Sequence, residues 1–181
     1  GTTRLGALKL VSTGTMTYGS SVKAASVLTN TNGVVRLGGD VDTTTTQTYN
    51  DAIVLTANVI LSGTDITLAQ TVNSDAALTK RTLQVTGSGV TTFGGIVGGT
   101  AALASLTVDG GGTTLLNAGA VTTVGAQSFG NAVTLGVNTA LVTTLNGNSS
   151  VTFGSTLNSS EALSRLSTPA PATLSITAGA A

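Results

Sequence analysis

Cysteine, histidine and tryptophan are missing from this chain of 181 residues, and charge is scarce at 8%. Without cysteine there is no disulfide and no thiolate for catalysis or zinc. The same absence suits a chain exported unfolded, in which a misplaced disulfide would block passage. Without histidine, the commonest activator of a serine or cysteine nucleophile is gone. Typical soluble domains carry roughly 25% charged residues. Here a single Glu and three Lys leave too little to solvate the polar face of a surface helix, so surface helices are not expected. Seven basic and seven acidic residues cancel, and Lys80-Arg81 is the only adjacent basic pair. Polyanion binding needs cations in line, so no nucleic acid partner is expected. No apolar run approaches ~18 residues, so no transmembrane helix is expected. Gly1-Thr2-Thr3-Arg4 is not a secretory signal. A start in mid-pattern fits a segment of a larger or assembled protein.

What remains is Gly, Thr, Ser, Ala, Val and Leu. Disordered chains are poor in apolar and β-branched residues, and this one is rich in both. The fold class is therefore all-β, with surface polarity supplied by hydroxyls and amides. Leu5–Leu10 and Leu103–Val108 each alternate Leu or Val with small or polar residues, the period of a half-buried strand. Asn30-Thr31-Asn32-Gly33, Ser62-Gly63, Gly87-Ser88-Gly89 and Asp109-Gly110-Gly111-Gly112 read as turns. Thr168-Pro169-Ala170-Pro171 must be loop, since Pro cannot donate to a sheet ladder.

All the aromatic residues sit in one local pattern. Ser or Thr precedes the ring, Gly or Asn follows it, and Val, Ile or Leu comes four residues after it. The instances are Tyr18-Gly19…Val22, Tyr49-Asn50…Ile53, Phe93-Gly94…Val97, Phe129-Gly130…Val133 and Phe153-Gly154…Leu157. Leu68…Val72 keeps the shape without the ring. These are the candidate structural positions: aromatic and hydrophobe facing a core on either side of a corner, with Gly or Asn taking a left-handed conformation between them.

A longer repeat contains this kernel. Leu37–Leu61 matches Asn117–Leu141 at a shift of 80, and Ile66–Leu78 matches Val151–Leu163 at 85. The chain thus reads as a single domain, 1–181, with two long copies at about 5–85 and 103–176. Insertions enter around Val142–Asn146 and Thr168–Pro171. Kernels spaced 31, 19, 25, 36 and 24 residues apart suit coils of roughly 19–25 residues. The expectation is a right-handed parallel β-helix of roughly eight coils, on the order of 40 Å long. No strict six-residue period supports the left-handed hexapeptide type. A transmembrane β-barrel shares the alternation but needs aromatic girdles, which five rings in one motif do not supply.

Candidate chemistry is thin. Asp40, Asp42, Asp51, Asp65, Asp75, Asp109 and Glu161 are the carboxylates. Only Asp40 and Asp42 are placed to share a face, and the second copy has Ala120 and Thr122 there. Gly110-Gly111-Gly112 lacks the Asp of the serial calcium-binding nonapeptide. Gly87-Ser88-Gly89 lacks the Lys and helix of a phosphate loop. Thr13/Thr15/Thr17 and Thr44/Thr46/Thr48 suggest flat hydroxyl arrays, but copy two offers Val124, Ala126 and Ser128 against the second run. Neither a catalytic residue, a cofactor nor a metal is expected.

GAQSFGNAVTLG (Gly125–Gly136), VTFGSTLNS (Val151–Ser159) and ALASLTV (Ala102–Val108) resemble repeats of very large bacterial surface proteins, the filamentous-haemagglutinin-like and autotransporter-like adhesins. The resemblance covers most of residues 41–176 and extends into 1–40. It implies a secreted, rod-like passenger at the bacterial cell surface with adhesion or matrix roles. The expected partners are neighbouring solenoid segments or further copies, and a host or matrix surface. Alternative readings are a filament subunit stacking head-to-tail and, last, a polysaccharide-acting β-helix enzyme.

Overall fold

A computed structural model describes residues 3–76, 78–144 and 149–159, together with the backbone of 174–177. Among these the chain forms strands and turns and no helix. The first two coils hold β1 (Leu5–Leu10), β2 (Thr15–Tyr18), β3 (Val22–Thr29) and β4 (Val34–Leu37). The next two hold β5 (Val41–Thr43), β6 (Gln47–Tyr49), β7 (Ala52–Leu55), β8 (Val59–Gly63), β9 (Ile66–Leu68) and β10 (Val72–Ser74). Then follow β11 (Thr82–Gly87), β12 (Val90–Phe93), β13 (Ser105–Asp109), β14 (Thr113–Leu116) and β15 (Ala120–Thr123). The last two coils hold β16 (Gln127–Phe129), β17 (Ala132–Leu135), β18 (Thr139–Thr143), β19 (Val151–Phe153), β20 (Leu157–Ser159) and β21 (Leu174–Thr177).

Every described ladder is parallel, and strands inside the stack pair with strands one coil before and after them. The fold is a β-solenoid of about eight turns. The barrel alternative, whose neighbours run antiparallel, is excluded by this pairing. The coil has three faces. The first stacks the start of β3 with β5, β8, β11, β13, β16 and β19. The second stacks the end of β3 with β6, β9, β12, β14, β17 and β20. The third stacks β2, β4, β7 and β10, continues through bridges at Val97, and ends in β15, β18 and β21. β3 serves two faces because its first half pairs with β5 and its second with β6.

Side-chain alternation turns each face into an inner column. On the first face Val22, Val41, Leu61, Val85, Val108, Phe129 and Phe153 lie in register. On the second the column is Tyr49, Leu68, Phe93, Leu116 and Leu135. On the third it is Met16, Val35, Ile53, Val72, Val97, Val121 and Leu141. Between Val22 and Leu141 these residues are at most 3% exposed, Val22 itself excepted. Each such Val, Leu or Ile contributes about 1.5–3 kcal/mol by leaving water. Columns of like shape at the ~4.8 Å strand spacing make the three cores one continuous cluster.

The two long copies do not superpose by whole coils. β5 lies on the first face and its counterpart β15 on the third; β6 lies on the second and β16 on the first; β7 lies on the third and β17 on the second. Such counterparts are ten steps apart in strand order, and the Val97–Leu103 segment adds an eleventh step on the third face. Eleven positions are three coils and two faces, so copy two is turned by one face about the rod. The comparison of Thr48 with Ser128 therefore concerns two different faces. Beside Thr48 lie Leu28 on one side and Thr67, then Thr92, on the other, before Leu115 interrupts. Thr15 and Thr17 meet Val34 and Arg36, so paired hydroxyl arrays do not continue from coil to coil.

Two further expectations change. Gly63 belongs to β8 and pairs with Gly87, which moves the turn to Thr64-Asp65. Leu103 stands apart from β13 in an isolated bridge to Thr123. The residues between Val97 and Leu103 bulge from the third face, and Asn73 Oδ1 holds the bulge by accepting the Thr100 and Ala101 N–H groups at 2.9 and 3.2 Å. The insertion expected at Val142–Asn146 lies partly, and that at Thr168–Pro171 wholly, outside the described residues.

One buried polar device recurs in both copies. Gln47 and Gln127 are 0% exposed. Gln47 Nε2 donates to the carbonyls of Val41 (2.9 Å) and Ser62 (2.8 Å). Gln127 Nε2 donates to those of Val121 (3.0 Å) and Val142 (2.9 Å). Each amide thus ties its own coil to the next at a corner. In copy one Tyr49 donates its hydroxyl to Gln47 Oε1 at 3.0 Å. Copy two has Phe129 instead, and Gln127 Oε1 is left without a donor among the described residues. An unmet buried acceptor costs about 1–3 kcal/mol. Tyr49→Phe is expected to lower, and Phe129→Tyr to raise, the melting temperature by roughly 2–4 °C per kcal/mol, measured by thermal circular dichroism.

Candidate functional site

The kernel brackets all three kinds of corner. Tyr18 to Val22 turns from the third face to the first. Tyr49 to Ile53 and Phe93 to Val97 turn from the second to the third, and Phe129 to Val133 and Phe153 to Leu157 from the first to the second. Tyr49, Phe93 and Phe129 are 0% exposed, as are Val97 and Val133, with Ile53 at 1%. Tyr18, Val22 and Phe153 are half-buried against the same core, and Leu157 is 38% exposed. Both half-open sets lie in the coils nearest the two ends of the described stack.

The Gly or Asn of the kernel does not adopt a left-handed conformation. Positive φ occurs at Asn32 (75°), Gly98 (71°), Gly110 (111°) and Gly111 (82°), and not at Gly19, Asn50, Gly94, Gly130 or Gly154. The kernel position instead continues the inter-coil ladder. Gly94, Gly130 and Gly154 each donate N–H to a carbonyl of the preceding coil at 2.8 Å. A Cβ at Gly94 would stand 2.8 Å from the Ala69 carbonyl oxygen, so there close approach selects glycine. Asn50 uses its side chain as well, donating from Nδ2 to the Thr29 carbonyl at 2.8 Å.

The variable residues after the kernel aromatic line an open cleft of about 430 Å³, walled by Thr31, Asn32, Gly33, Asn50, Asp51, Ala52 and Gln70. Asp51 is 1% exposed. Its Oδ1 accepts the Gly33 N–H at 2.7 Å, while Oδ2 is buried with no partner among the described residues. Copy two places Asn131 at this position, 4% exposed. Asn131 Oδ1 accepts the Gly111 N–H at 3.1 Å, and its Nδ2 donates to the Asp109 carbonyl at 3.3 Å. The neutral amide satisfies its corner with both atoms; the carboxylate does so with one.

Asp40 and Asp42 border a second cleft of about 280 Å³ with Lys23, Ile60 and Ser62. Both have structural partners. Asp40 Oδ1 accepts the Ile60 N–H at 2.8 Å. Asp42 Oδ2 pairs with Arg4 at 2.8 Å and Lys23 at 4.0 Å. Asp65 and Asp109 cap turns through the N–H groups of Val90 and Gly110. Asp75 pairs with Arg81 through both oxygens, at 3.0 and 3.2 Å, across the loop between β10 and β11. The Arg81 guanidinium holds the Asp75 carboxyl below its ordinary range, and Asp75 raises Arg81 in return. Glu161 lies outside the described residues. Among the described residues no cluster of three or more His, Cys, Asp or Glu is formed. No helix there is long and apolar enough to cross a membrane.

Two phenols are perturbed. Burial pushes Tyr18 up to about 12. Burial, then the neighbouring Tyr18, pushes Tyr49 well above the usual value. A phenol with a raised folded pKa stabilises the fold fully below its unfolded value near 10. That stabilisation is lost as pH rises through the folded pKa, because the unfolded chain then holds fewer protons. Melting temperature is expected to fall between about pH 10 and 12, and to fall less in a Tyr18→Phe/Tyr49→Phe variant. A pH series of thermal melts with a tyrosinate absorbance titration checks this; equal slopes in the two proteins would contradict it.

Gln47 and Gln127 escaped the motif reading because they precede the aromatic by two residues, outside the kernel. A signal was present: the chain has four Gln, and only these two occupy matching positions in the copies. Comparison with known proteins finds no matching family model, no matching curated protein and no matching solved structure.

Proposed function

We propose that this chain is a structural rod segment of an extracellular fibre, of the bacterial surface-adhesin kind its repeats resemble, and that it performs no catalysis. The observation that carries this reading is the continuity of the three inner columns through about eight coils. Such a stack is stabilised by nearest-neighbour contacts and extends in one direction. Its outer positions, such as Thr48, Thr67 and Thr92 on the second face and Thr107 and Ser128 on the first, are polar but uncharged. A host or matrix surface would meet hydroxyls and amides there. The described carboxylates other than Asp51 are held in turns and ion pairs, which further supports a scaffold.

One observation favours the filament variant of this reading. Among the described residues, β1 and β2 at one end, and β19 and β20 at the other, each pair on one side only. Half-buried Leu8, Met16 and Tyr18, and Val151 and Phe153, lie at these edges. A neighbouring solenoid segment or another copy would cover them. Negative-stain electron microscopy of the purified chain at micromolar concentration tests both. Discrete rods on the order of 40 Å long support the segment; long fibres support head-to-tail stacking. Globular particles, or turnover of any member of a polysaccharide panel, would overturn the structural reading.

A further inference from the structure

We propose that Asp109-Gly110 is a site of spontaneous isoaspartate formation, and that the fold selects it over Asn32-Gly33. The chain has one Asp-Gly pair and two Asn-Gly pairs, Asn32-Gly33 and Asn146-Gly147. The last lies outside the described residues. A glycine after Asp or Asn has no Cβ to shield its nitrogen. In an unstructured chain at neutral pH the Asn-Gly pairs cyclise faster, because an ionised carboxylate is a poorer electrophile than an amide. The folded backbone reverses that order. Asp109 is exposed at the end of β13, and its Oδ1 accepts the N–H of the next residue, Gly110, at 2.7 Å. Among the described residues no backbone carbonyl takes that N–H. The attacking nitrogen therefore already faces the carboxyl, and the oxygen it touches is bonded to Cγ, the atom it must attack. Gly110 and Gly111, at φ of 111° and 82°, hold this turn.

Asn32-Gly33 is arranged the other way. The Gly33 N–H is turned to the next coil, where Asp51 Oδ1 accepts it at 2.7 Å. Asp51 is 1% exposed, so bringing the Gly33 nitrogen to Asn32 Cγ would leave a buried acceptor unmet. At Asp109 the reaction needs only water. Gly110 N gives up its proton and bonds to Asp109 Cγ, and a carboxyl oxygen leaves as water, closing a succinimide. Water then reopens the ring. Attack at Cγ restores aspartate; attack at the α-carbonyl carbon breaks its bond to nitrogen and routes the main chain through the side chain. That product, isoaspartate, adds one carbon to the backbone between β13 and β14 and frees the α-carboxylate. The bonds from Asn131 Nδ2 to the Asp109 carbonyl (3.3 Å) and from the Gly111 N–H to Asn131 Oδ1 (3.1 Å) both depend on this turn. Isoaspartate thus loosens one corner of copy two.

The test incubates the whole folded chain for several weeks near neutral pH, beside the same chain in guanidinium chloride. Chymotryptic peptides are scored for isoaspartate by enzymatic methyl transfer from S-adenosylmethionine, and for deamidation by mass. In the folded chain the Asp109 peptide is expected to gain isoaspartate at least about fivefold faster than the Asn32 peptide deamidates. In denaturant the order should reverse. Asp109→Ala should abolish the signal at its own peptide, with a thermal melt confirming that the variant folds. Faster change at Asn32 than at Asp109 in the folded chain would overturn the proposal. So would isoaspartate at Asp109 in the denatured chain alone, or a signal at that peptide that survives Asp109→Ala.

Discussion

Phe129→Asp is expected to unravel the rod from β16 onward, at a cost of more than about 4 kcal/mol. Phe129 is 0% exposed and stacks on Phe153 with ring centroids 5.4 Å apart and an interplanar angle of 14°. Below it in the column is Val108. Removing the ring alone forfeits about 3–5 kcal/mol. The carboxylate would enter an apolar column of Val85, Val108 and Phe153, which offers it no counter-charge. Solenoid stability is close to a sum of coil and nearest-neighbour terms, so the damage should be local. Hydrogen exchange should show lost protection over β16–β20 while β5–β10 keep theirs. Asp109→Ala removes an exposed side chain that accepts the adjacent Gly110 N–H at 2.7 Å, and should cost less than about 1 kcal/mol. Equal melting temperatures for the two variants would contradict the inward placement of the aromatic.

That placement was legible because burial acts directly on residue type. A ring or branched hydrophobe at a fixed distance from a corner residue has one stable place in a stacked coil, and Tyr49, Ile53, Phe93 and Val97 occupy it. Coil length was legible for the same reason, with hydrogen-bonded neighbours 19 to 25 residues apart along most of the rod. The rotation of copy two was not. Kernel spacing counts residues, and a face is defined by strands. A bulge such as that between Val97 and Leu103 changes the residue count without changing the face. The same kernel fits every corner because the three faces offer nearly the same column geometry. Sequence similarity between Gly125–Leu135 and Thr45–Leu55 therefore marks equal local shape and not equal direction.

This rotation bears on function. Counterpart surface residues of the two copies point in different directions, so a partner approaching from one side meets different sequences in successive coils. The Asn50-Asp51 corner lies between the second and third faces, and its counterpart Gly130-Asn131 between the first and second. A feature specific to copy one is thus displayed once along its edge. Asp51 could not be singled out from sequence, since it differs from Asn131 by one atom pair. The partner of that atom, the Asp109 carbonyl, belongs to a turn 22 residues earlier.

Gly110→Ala is expected to be more damaging than Gly111→Ala or Gly19→Ala, costing at least about 3 kcal/mol. Two effects add. Gly110 has φ of 111°, a region that residues with a Cβ rarely occupy. Its Cβ would also stand 2.6 Å from the Gly87 carbonyl oxygen and 2.7 Å from the Gly87 nitrogen. Those atoms belong to the coil beneath, and the parallel ladder fixes the spacing, so the neighbour cannot retreat without breaking pairs from β11 to β13. Gly111→Ala separates the terms. Its φ is 82° and nothing lies within 4 Å of the added carbon, leaving the backbone penalty of about 1–2 kcal/mol. Gly19→Ala removes both terms, having ordinary φ and open space; it should be neutral or stabilise by up to about 1 kcal/mol through the unfolded chain. Urea melts of the three variants should rank Gly110→Ala well below Gly111→Ala, and that below Gly19→Ala. If Gly19→Ala proved as harmful as Gly110→Ala, the kernel glycine would be conformationally required after all, and the ladder account of the corner would be wrong.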